Sequence, residues 1–212
     1  MKLTGSKNGD VKAMDKDQLS SFLSKADSWY FPFFLLLART GLRMGEAVAL
    51  EISDVDFERG IIQVNKTYDF RHKTTDTPKT GKGREVDMSA QLATVLREMI
   101  AKRRAKHFKE GKSMPSLLFA SWTGTHLHSG NIRRAFTRTL AKAELPMHFT
   151  PHCMRHSFAS LLLQRGISIT YVQRMLGHAS IRLTVDLYGK WLPMGNRVAV
   201  DGLDDAQTAV GS

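Results

Sequence analysis

Apolar side chains recur at helical spacing along most of this 212-residue chain. Intervals of three and four residues between apolar positions predict amphipathic helices. We expect the first helix to begin near Asp15 and to bury Leu19 and Phe22. Further helices are predicted at 29–39, 41–50, 91–108 and 129–143, with three shorter ones between 151 and 188. The pattern therefore predicts a chain that is mainly α-helical.

Short runs rich in β-branched and apolar residues predict a small antiparallel sheet. The runs lie at 55–57, 61–64 and 84–88, and Glu58-Arg59-Gly60 forms a turn between the first two. The polar stretch 66–83 separates the last two runs, and we expect a loop that is mobile without a polyanion. The predicted fold class is mainly α with a small antiparallel β-sheet (α+β).

Capping residues divide the region after residue 150 into three short helices. Thr150 and Pro151 are typical of a helix start, and Ser168 and Ser180 can cap the next two helices. Gly177 is a natural C-terminal residue for the second of these helices. The order of caps and stops therefore predicts helix, corner, helix, corner and helix.

Four side chains with phosphate chemistry fall on these helices and corners. His152 and Arg155 share one face of the first helix, His178 follows the glycine corner, and Tyr188 ends the third helix on a segment that could move. A helix N-terminus attracts anions through its free N–H groups and its dipole. A lone histidine or tyrosine is more often an ordinary core or surface residue, but the four together indicate a phosphate site.

The charge of the chain favours a polyanionic partner. The formal net charge is +11, and cationic proteins that neutralise phosphates gain affinity for nucleic acid by releasing counterions. The apolar run 29–38 is too short to cross a bilayer, and we find no basic amphipathic helix beside a lipid anchor. The single cysteine, Cys153, excludes an internal disulfide and fits a reducing compartment. Nucleic acid is the expected partner, and no membrane partner is expected.

Two other classes of protein remain open from the residues alone. His152 and His156, four residues apart, could form a zinc site with Cys153 and His178, although the adjacent Arg155 would repel a cation. A basic DNA-binding protein without catalysis would also hold phosphate with such residues.

Several motifs resemble those of the tyrosine recombinases, the family of phage integrases and site-specific recombinases. The matching motifs are Thr40-Gly41-Leu42-Arg43-x-x-Glu46, His152-x-x-Arg155-His156, Leu176-Gly177-His178 and then Tyr188. The resemblance covers residues 15–191 and implies the catalytic-domain fold of that family. It also implies that Tyr188 attacks the scissile phosphorus to form a 3′-phosphotyrosyl bond. Arg43 and Arg155 would then hold the phosphate oxygens, assisted by His178.

The resemblance assigns proton transfer and support to further residues. Lys79 would protonate the departing 5′-oxygen, and Lys82 is the competing choice because the loop gives no register of its own. His152 would assist proton transfer at the tyrosine. Glu46 would hold the first arginine in place, and His156 would support the site from behind the groups that touch phosphate. The implied reaction uses no metal ion, no ATP and no other cofactor.

The resemblance also implies a division of the chain and a set of partners. We expect a linker-like lead-in at 1–13, a catalytic domain at 14–191 and a tail at 192–212 that is disordered or contacts a neighbour. The partners would be double-stranded DNA, other recombinase protomers in a tetramer on DNA, and an N-terminal DNA-binding domain missing from this chain. The compartment would be the cytoplasm of a bacterium, with the gene bacterial or phage-borne. The expected DNA contacts are basic residues of the polar loop and of the helix at 129–143, namely Arg71, Lys73, Lys82, Arg84, Arg133 and Arg134.

Overall fold

The computed structural model describes residues 11–77, 83–193, 195 and 197–201, and most of these are helical. The helices are α1 (Lys16–Lys25), α2 (Phe31–Thr40), α3 (Met44–Ala49), α4 (Ala90–Lys109), α5 (Ser129–Lys142), α6 (Pro151–Gln164), α7 (Ile169–Leu176), α8 (Ile181–Tyr188) and α9 (Arg197–Asp201). Each helix predicted from the apolar pattern is present, with ends that differ from the prediction by a few residues.

The predicted caps explain where several helices begin and end. Asp15 accepts a hydrogen bond from the Gln18 amide at 2.8 Å and starts α1. Ser180 accepts one from the Leu183 amide at 3.4 Å and starts α8. Gly177 ends α7 in the left-handed conformation, with φ of 65°. Local sequence therefore fixes the order of helices and corners that carries the candidate chemistry.

The predicted sheet is present at the edge of the helical body. Its strands are β1 (Val55–Asp56), β2 (Ile61–Val64) and β5 (Arg84–Asp87), and they pair antiparallel in the order β1-β2-β5. Ile62 lies opposite Val86, and both side chains are fully buried. The sheet thus contributes one face to the core, and the α+β prediction is confirmed.

Part of the stretch expected to be a mobile loop forms a hairpin instead. Strands β3 (Thr67–Asp69) and β4 (Thr74–Asp76) pair antiparallel, with Tyr68 opposite Thr75. The hairpin packs on α3 because Gly45 has no side chain. A Cβ atom there would lie 2.7 Å from the carbonyl oxygen of Tyr68. The expectation was wrong for these residues because the pairing depends on contact with α3 and not on an apolar pattern.

Helix α2 is the centre of the hydrophobic core. Its residues 33–38 are all buried, as expected for an apolar run too short to be a membrane span. The ring of Phe34 packs against Phe22 of α1 at 5.3 Å and Phe136 of α5 at 5.7 Å, measured between centroids. Of the helices in the described part of the chain, none is long and apolar enough to span a bilayer.

Candidate active site

Arg155 lies where the ends of three helices meet. Its side chain leaves the second turn of α6 and is only 2% exposed. Its Nη1 donates to the carbonyl oxygen of Gly41 at 2.8 Å, and its Nη2 donates to that of Leu176 at 2.7 Å. These carbonyls belong to the residue that follows α2 and to the last residue of α7, at helix C-termini whose dipoles favour a cation. Burial lowers the pKa of Arg155 to about 10, with a further contribution from Arg43, so its guanidinium remains charged at neutral pH.

Arg43 immediately precedes α3 and is more open to solvent. Its Nη1 donates to Oε1 of Glu46 at 3.0 Å, and 47% of its side chain is exposed against 2% for Glu46. Burial acts to raise the pKa of Glu46, but hydrogen bonds and charges from Arg84 and Arg43 outweigh it and lower that pKa. The carboxylate is therefore ionised and anchors a guanidinium that can still reach a ligand.

His178 is held in a fixed orientation at the corner after α7. Its Nδ1 lies 2.9 Å from the hydroxyl of Thr184, and its carbonyl accepts from the side chain of Gln173 at 2.6 Å. Burial and then the charge of Arg155 lower the pKa of His178 to about 4. The imidazole is therefore neutral near pH 7, with one nitrogen a donor and the other an acceptor, and Nδ1 is paired with Thr184.

Tyr188 is buried at the end of α8, with 1% of its surface exposed. Its hydroxyl lies 2.7 Å from Nδ1 of His156, and its ring stacks parallel to His178 with centroids 6.2 Å apart. Burial raises its pKa to about 12, although Arg155 and Arg43 act to lower it. The sequence suggested a tyrosine on a movable segment, whereas this structure places the phenol inside the site and protonated.

The two histidines of α6 lie next to each other beside the tyrosine. Their rings meet edge to face, with centroids 4.7 Å apart. Burial lowers the pKa of His152, and the positive charges of Arg155 and Arg43 lower it further. Burial likewise lowers the pKa of His156 to about 4. The structure places His156 directly on the phenol, the position for which the sequence favoured His152.

The zinc interpretation finds no support in the arrangement of these side chains. Within the ranges that the structure describes, no three or more His, Cys, Asp or Glu residues are placed to hold a metal ion. Nδ1 of His156 is used by Tyr188, and Sγ of Cys153 accepts from the Thr150 amide at 3.3 Å. His156, Cys153 and His178 thus have partners in the protein, and the positive charges of Arg155 and Arg43 act on His152 and His178.

Most of the expected DNA contacts that can be described are exposed. Arg71 and Lys73 lie at the turn of the β3–β4 hairpin, and Arg133 and Arg134 lie on the outer face of α5. Arg84 is different, because its side chain is only 12% exposed and its guanidinium binds Glu46. Its role as a DNA contact stays a prediction, and the structure places its guanidinium in an internal ion pair. The two lysines considered for proton transfer, Lys79 and Lys82, lie outside the described residues.

Sequence reasoning missed the contacts that two residues make in the site. Thr184 orients His178, and Arg84 shares Glu46 with Arg43. The only sequence signal for Thr184 was a small polar residue on an otherwise apolar helix face. For Arg84 the corresponding signal was a charged residue at the start of a short strand. Neither signal indicates which residue the side chain contacts.

Comparison with known proteins finds similarity over most of the chain. A family model described as the phage integrase family matches residues 12–191. A tyrosine recombinase XerC-like protein of Caldanaerobacter subterraneus subsp. tengcongensis is 28% identical over 189 residues, which cover 81% of this chain and 48% of the relative. A tyrosine recombinase of Agathobacter rectalis is 32% identical over 150 residues, covering 70% of this chain and 44% of the relative. The chain thus spans about half the length of these curated relatives.

Solved structures share the fold. The crystal structure of XerA recombinase superposes with a TM-score of 0.69 at 25% identity, covering 96% of this chain and 68% of that one. The integrase of transposon Tn1549, in complex with DNA of the transposon right end, gives 0.75 at 24% identity over 93% of this chain and 68% of that one. The catalytic domain of bacteriophage HP1 integrase gives 0.62 at 20% identity over 95% of this chain and all of that one (100%).

Proposed function

The chain belongs to the phage integrase family, and we propose that it is the catalytic domain of a site-specific DNA recombinase. It would cut and rejoin DNA strands through a 3′-phosphotyrosyl intermediate, without a metal ion or ATP. Relatives solved in complex with DNA support the choice of substrate, and the +11 charge of the chain agrees with it.

One observation carries the proposal, namely the meeting of two arginines with a tyrosine in a single site. The charges of Arg155 and Arg43 both act on the phenol of Tyr188, which lies against His156. Each group comes from a different helix or helix end. Metal-free cleavage of a phosphodiester needs a nucleophile, positive charge on the phosphate and a route for protons, and these residue types provide them.

In the proposed reaction the hydroxyl oxygen of Tyr188 forms a bond to the scissile phosphorus, and the bond from phosphorus to the 5′-oxygen breaks. Arg43 and Arg155 hold the non-bridging oxygens, where charge increases in the transition state. His178, held by Thr184 and neutral near pH 7, donates a hydrogen bond to the same phosphate. The phosphotyrosyl bond conserves the energy of the original linkage, so a 5′-hydroxyl of another strand can reverse the step.

Proton transfer completes the reaction at two positions. The phenol gives its proton to the histidine pair of α6, in which His156 contacts the hydroxyl and His152 lies beside it. The departing 5′-oxygen receives a proton from Lys79, with Lys82 as the alternative. We further propose that the whole protein carries an N-terminal DNA-binding domain and acts as a tetramer on DNA in the bacterial cytoplasm. The chain would then be organised as a lead-in, a catalytic domain at 14–191 and a tail.

A suicide DNA substrate tests the proposal, because loss of a short nicked fragment traps the covalent adduct. Incubation in excess EDTA should give a protein–DNA band that resists denaturation, and Tyr188→Phe should abolish that band while DNA affinity stays nearly unchanged. Tyr171→Phe is the matched control, since the Tyr171 hydroxyl binds Asp87 at 2.6 Å and not a catalytic group.

Three results would contradict the proposal. DNA binding without any adduct would indicate a non-catalytic DNA-binding protein. An adduct that persists in Tyr188→Phe would move the nucleophile to another tyrosine, such as Tyr171 or Tyr68. An adduct that disappears with EDTA and returns with zinc would indicate a metal-dependent enzyme.

A further inference from the structure

The carboxylate of Glu46 is shared by two arginines of unequal exposure. Arg84 binds it with both terminal nitrogens, Nη1 to Oε1 at 3.0 Å and Nη2 to Oε2 at 2.8 Å. Arg43 donates to the same carboxylate from its backbone amide at 2.8 Å and from Nη1 at 3.0 Å. The side chain of Arg84 is 12% exposed, whereas that of Arg43 is 47% exposed. The buried partner therefore neutralises the carboxylate, and the exposed partner is left facing solvent.

Arg84 also connects the elements that carry the catalytic groups. It opens β5, binds α3 through Glu46, and donates from Nε to the carbonyl oxygen of Met175 in α7 at 2.9 Å. Its guanidinium lies against Gly177, where a Cβ atom would be 2.9 Å from Nη1. His178 follows that glycine directly. One side chain thus links the segment of Arg43 to the segment of His178.

Charge determines what happens when this side chain is removed. An ionised carboxylate that is 2% exposed needs a cationic partner, because an unpaired charge in a low-dielectric interior is strongly unfavourable. Without Arg84, the cation left in contact with Glu46 among the described residues would be Arg43. The guanidinium of Arg43 would then be drawn inward and lost to a phosphate outside.

We propose that Arg84 is a positioning residue that neutralises Glu46 and so leaves Arg43 free to bind the scissile phosphate. The expected effect of Arg84 on cleavage rests on the proposed function. Its expected effect on the position of Arg43 rests on the described contacts alone.

The first test measures cleavage of the suicide substrate under single-turnover conditions. Arg84→Met should slow cleavage about 10- to 100-fold, the usual range for a residue that supports a ligand-binding group, with DNA affinity within about threefold. In an Arg43→Ala background the same change should have less than about a threefold effect, because its target is already gone. Arg59→Met is the matched control, since Arg59 pairs with Glu85 in the same sheet but is 60% exposed.

A purely structural role gives a different pattern. The loss of unfolding free energy caused by Arg84→Met should be larger in the Arg43→Ala background, where Glu46 loses both described partners, whereas the loss of cleavage should be smaller there. Equal losses of cleavage in both backgrounds, or cleavage at the wild-type rate, would overturn the proposal. If the methionine variant does not fold, Arg84→Lys keeps the charge without the two-pronged geometry. It should show a smaller loss, about fivefold, with the same dependence on Arg43, and wild-type cleavage by this variant would also overturn the proposal.

The second test needs no DNA and therefore separates this inference from the proposed function. Phenylglyoxal modifies accessible arginines, and peptide mass spectrometry can follow the peptide that carries Arg43. The rate of modification at Arg43 should fall in Arg84→Met and stay unchanged in Arg59→Met. An unchanged rate at Arg43 in Arg84→Met would show that its guanidinium has not moved inward, even if the wild-type chain cleaves DNA. If the wild-type chain fails to cleave DNA but Arg84→Met lowers the rate of modification at Arg43, only the proposed function is contradicted.

Discussion

Gly41 offers a measurable test of how the site is packed. It ends α2 with φ of 65°, a conformation that costs a residue with a side chain roughly 1–2 kcal/mol. A Cβ atom there would lie 2.5 Å from Cδ1 of Phe158 and 2.9 Å from Cδ2 of Leu176. Those side chains belong to α6 and α7, and the Gly41 carbonyl accepts from Arg155. Gly41→Ala therefore forces apart the helices that hold the buried arginine.

Gly166 supplies the matched control for the backbone contribution. Its φ is 74°, but an added Cβ would meet no atom within 4 Å. Gly166→Ala should lower the unfolding free energy by only about 1 kcal/mol, because the conformational cost is partly offset by the reduced entropy of the unfolded chain. Gly41→Ala adds the strain of overpacking, about 1–3 kcal/mol, for a total of about 2–4 kcal/mol.

Urea unfolding followed by far-ultraviolet circular dichroism gives both values under the same conditions. Cleavage of the suicide substrate should also fall in Gly41→Ala, because the carbonyl that orients Arg155 is displaced, and should be unaffected in Gly166→Ala. Equal losses of stability in the two variants would refute the steric reasoning. Wild-type cleavage by a Gly41→Ala protein that is destabilised would show that Arg155 does not depend on this carbonyl.

Two further predictions concern titration and the general acid. The pKa of His178 is about 4 in the folded chain, against an ordinary value near 6.5, so the unfolded chain binds more protons between these values. The contribution of His178 to stability should therefore be full above pH 6.5 and should fall by about 3 kcal/mol as pH decreases to 4. His178→Gln should remove this part of the slope in urea titrations and leave the part that comes from His152 and His156, whose pKa values are also lowered. Lys79→Ala should slow cleavage of ordinary DNA but not of a substrate with sulfur in place of the 5′-oxygen, because a thiolate leaves without a proton. Lys82→Ala should weaken binding of both substrates in a salt-dependent manner. If the sulfur substrate restores cleavage by Lys82→Ala and not by Lys79→Ala, the roles of the two lysines are exchanged.

The order of α6, α7 and α8 and of the corners between them could be predicted because its determinants are local. A threonine and proline at a helix start, or a glycine at a helix end, act on residues within one turn. The positions of His152, His178 and Tyr188 on helix starts, corners and ends followed from these residues alone. Their convergence did not, because it depends on the packing of α6, α7 and α8 against the core.

The hairpin and the role of Arg84 could not be predicted because both depend on contacts between residues that are distant in the sequence. The hairpin lacks an alternating apolar pattern, and its position against α3 depends on the absent side chain of Gly45. In the sequence Arg84 is one of several cations at the end of a basic loop, whereas in the structure it pairs with a carboxylate 38 positions earlier in the chain. Contacts between distant residues determine which charged side chains are buried, and a single sequence contains no direct record of them.

The state of Tyr188 explains why the proposed reaction needs two histidines on one helix. With a pKa of about 12, the phenol is ionised in only on the order of one molecule in 10⁵ at pH 7. A phosphate bound between the arginines would cancel part of the positive charge that favours the phenolate, so substrate binding alone cannot create the nucleophile. The proton must therefore move to a base as the oxygen attacks. His156 already contacts the hydroxyl, and the ring centroid of His152 lies 4.7 Å from that of His156. Spacing of four residues on α6 places both imidazoles on one face, where His156 accepts the proton and His152 can pass it on.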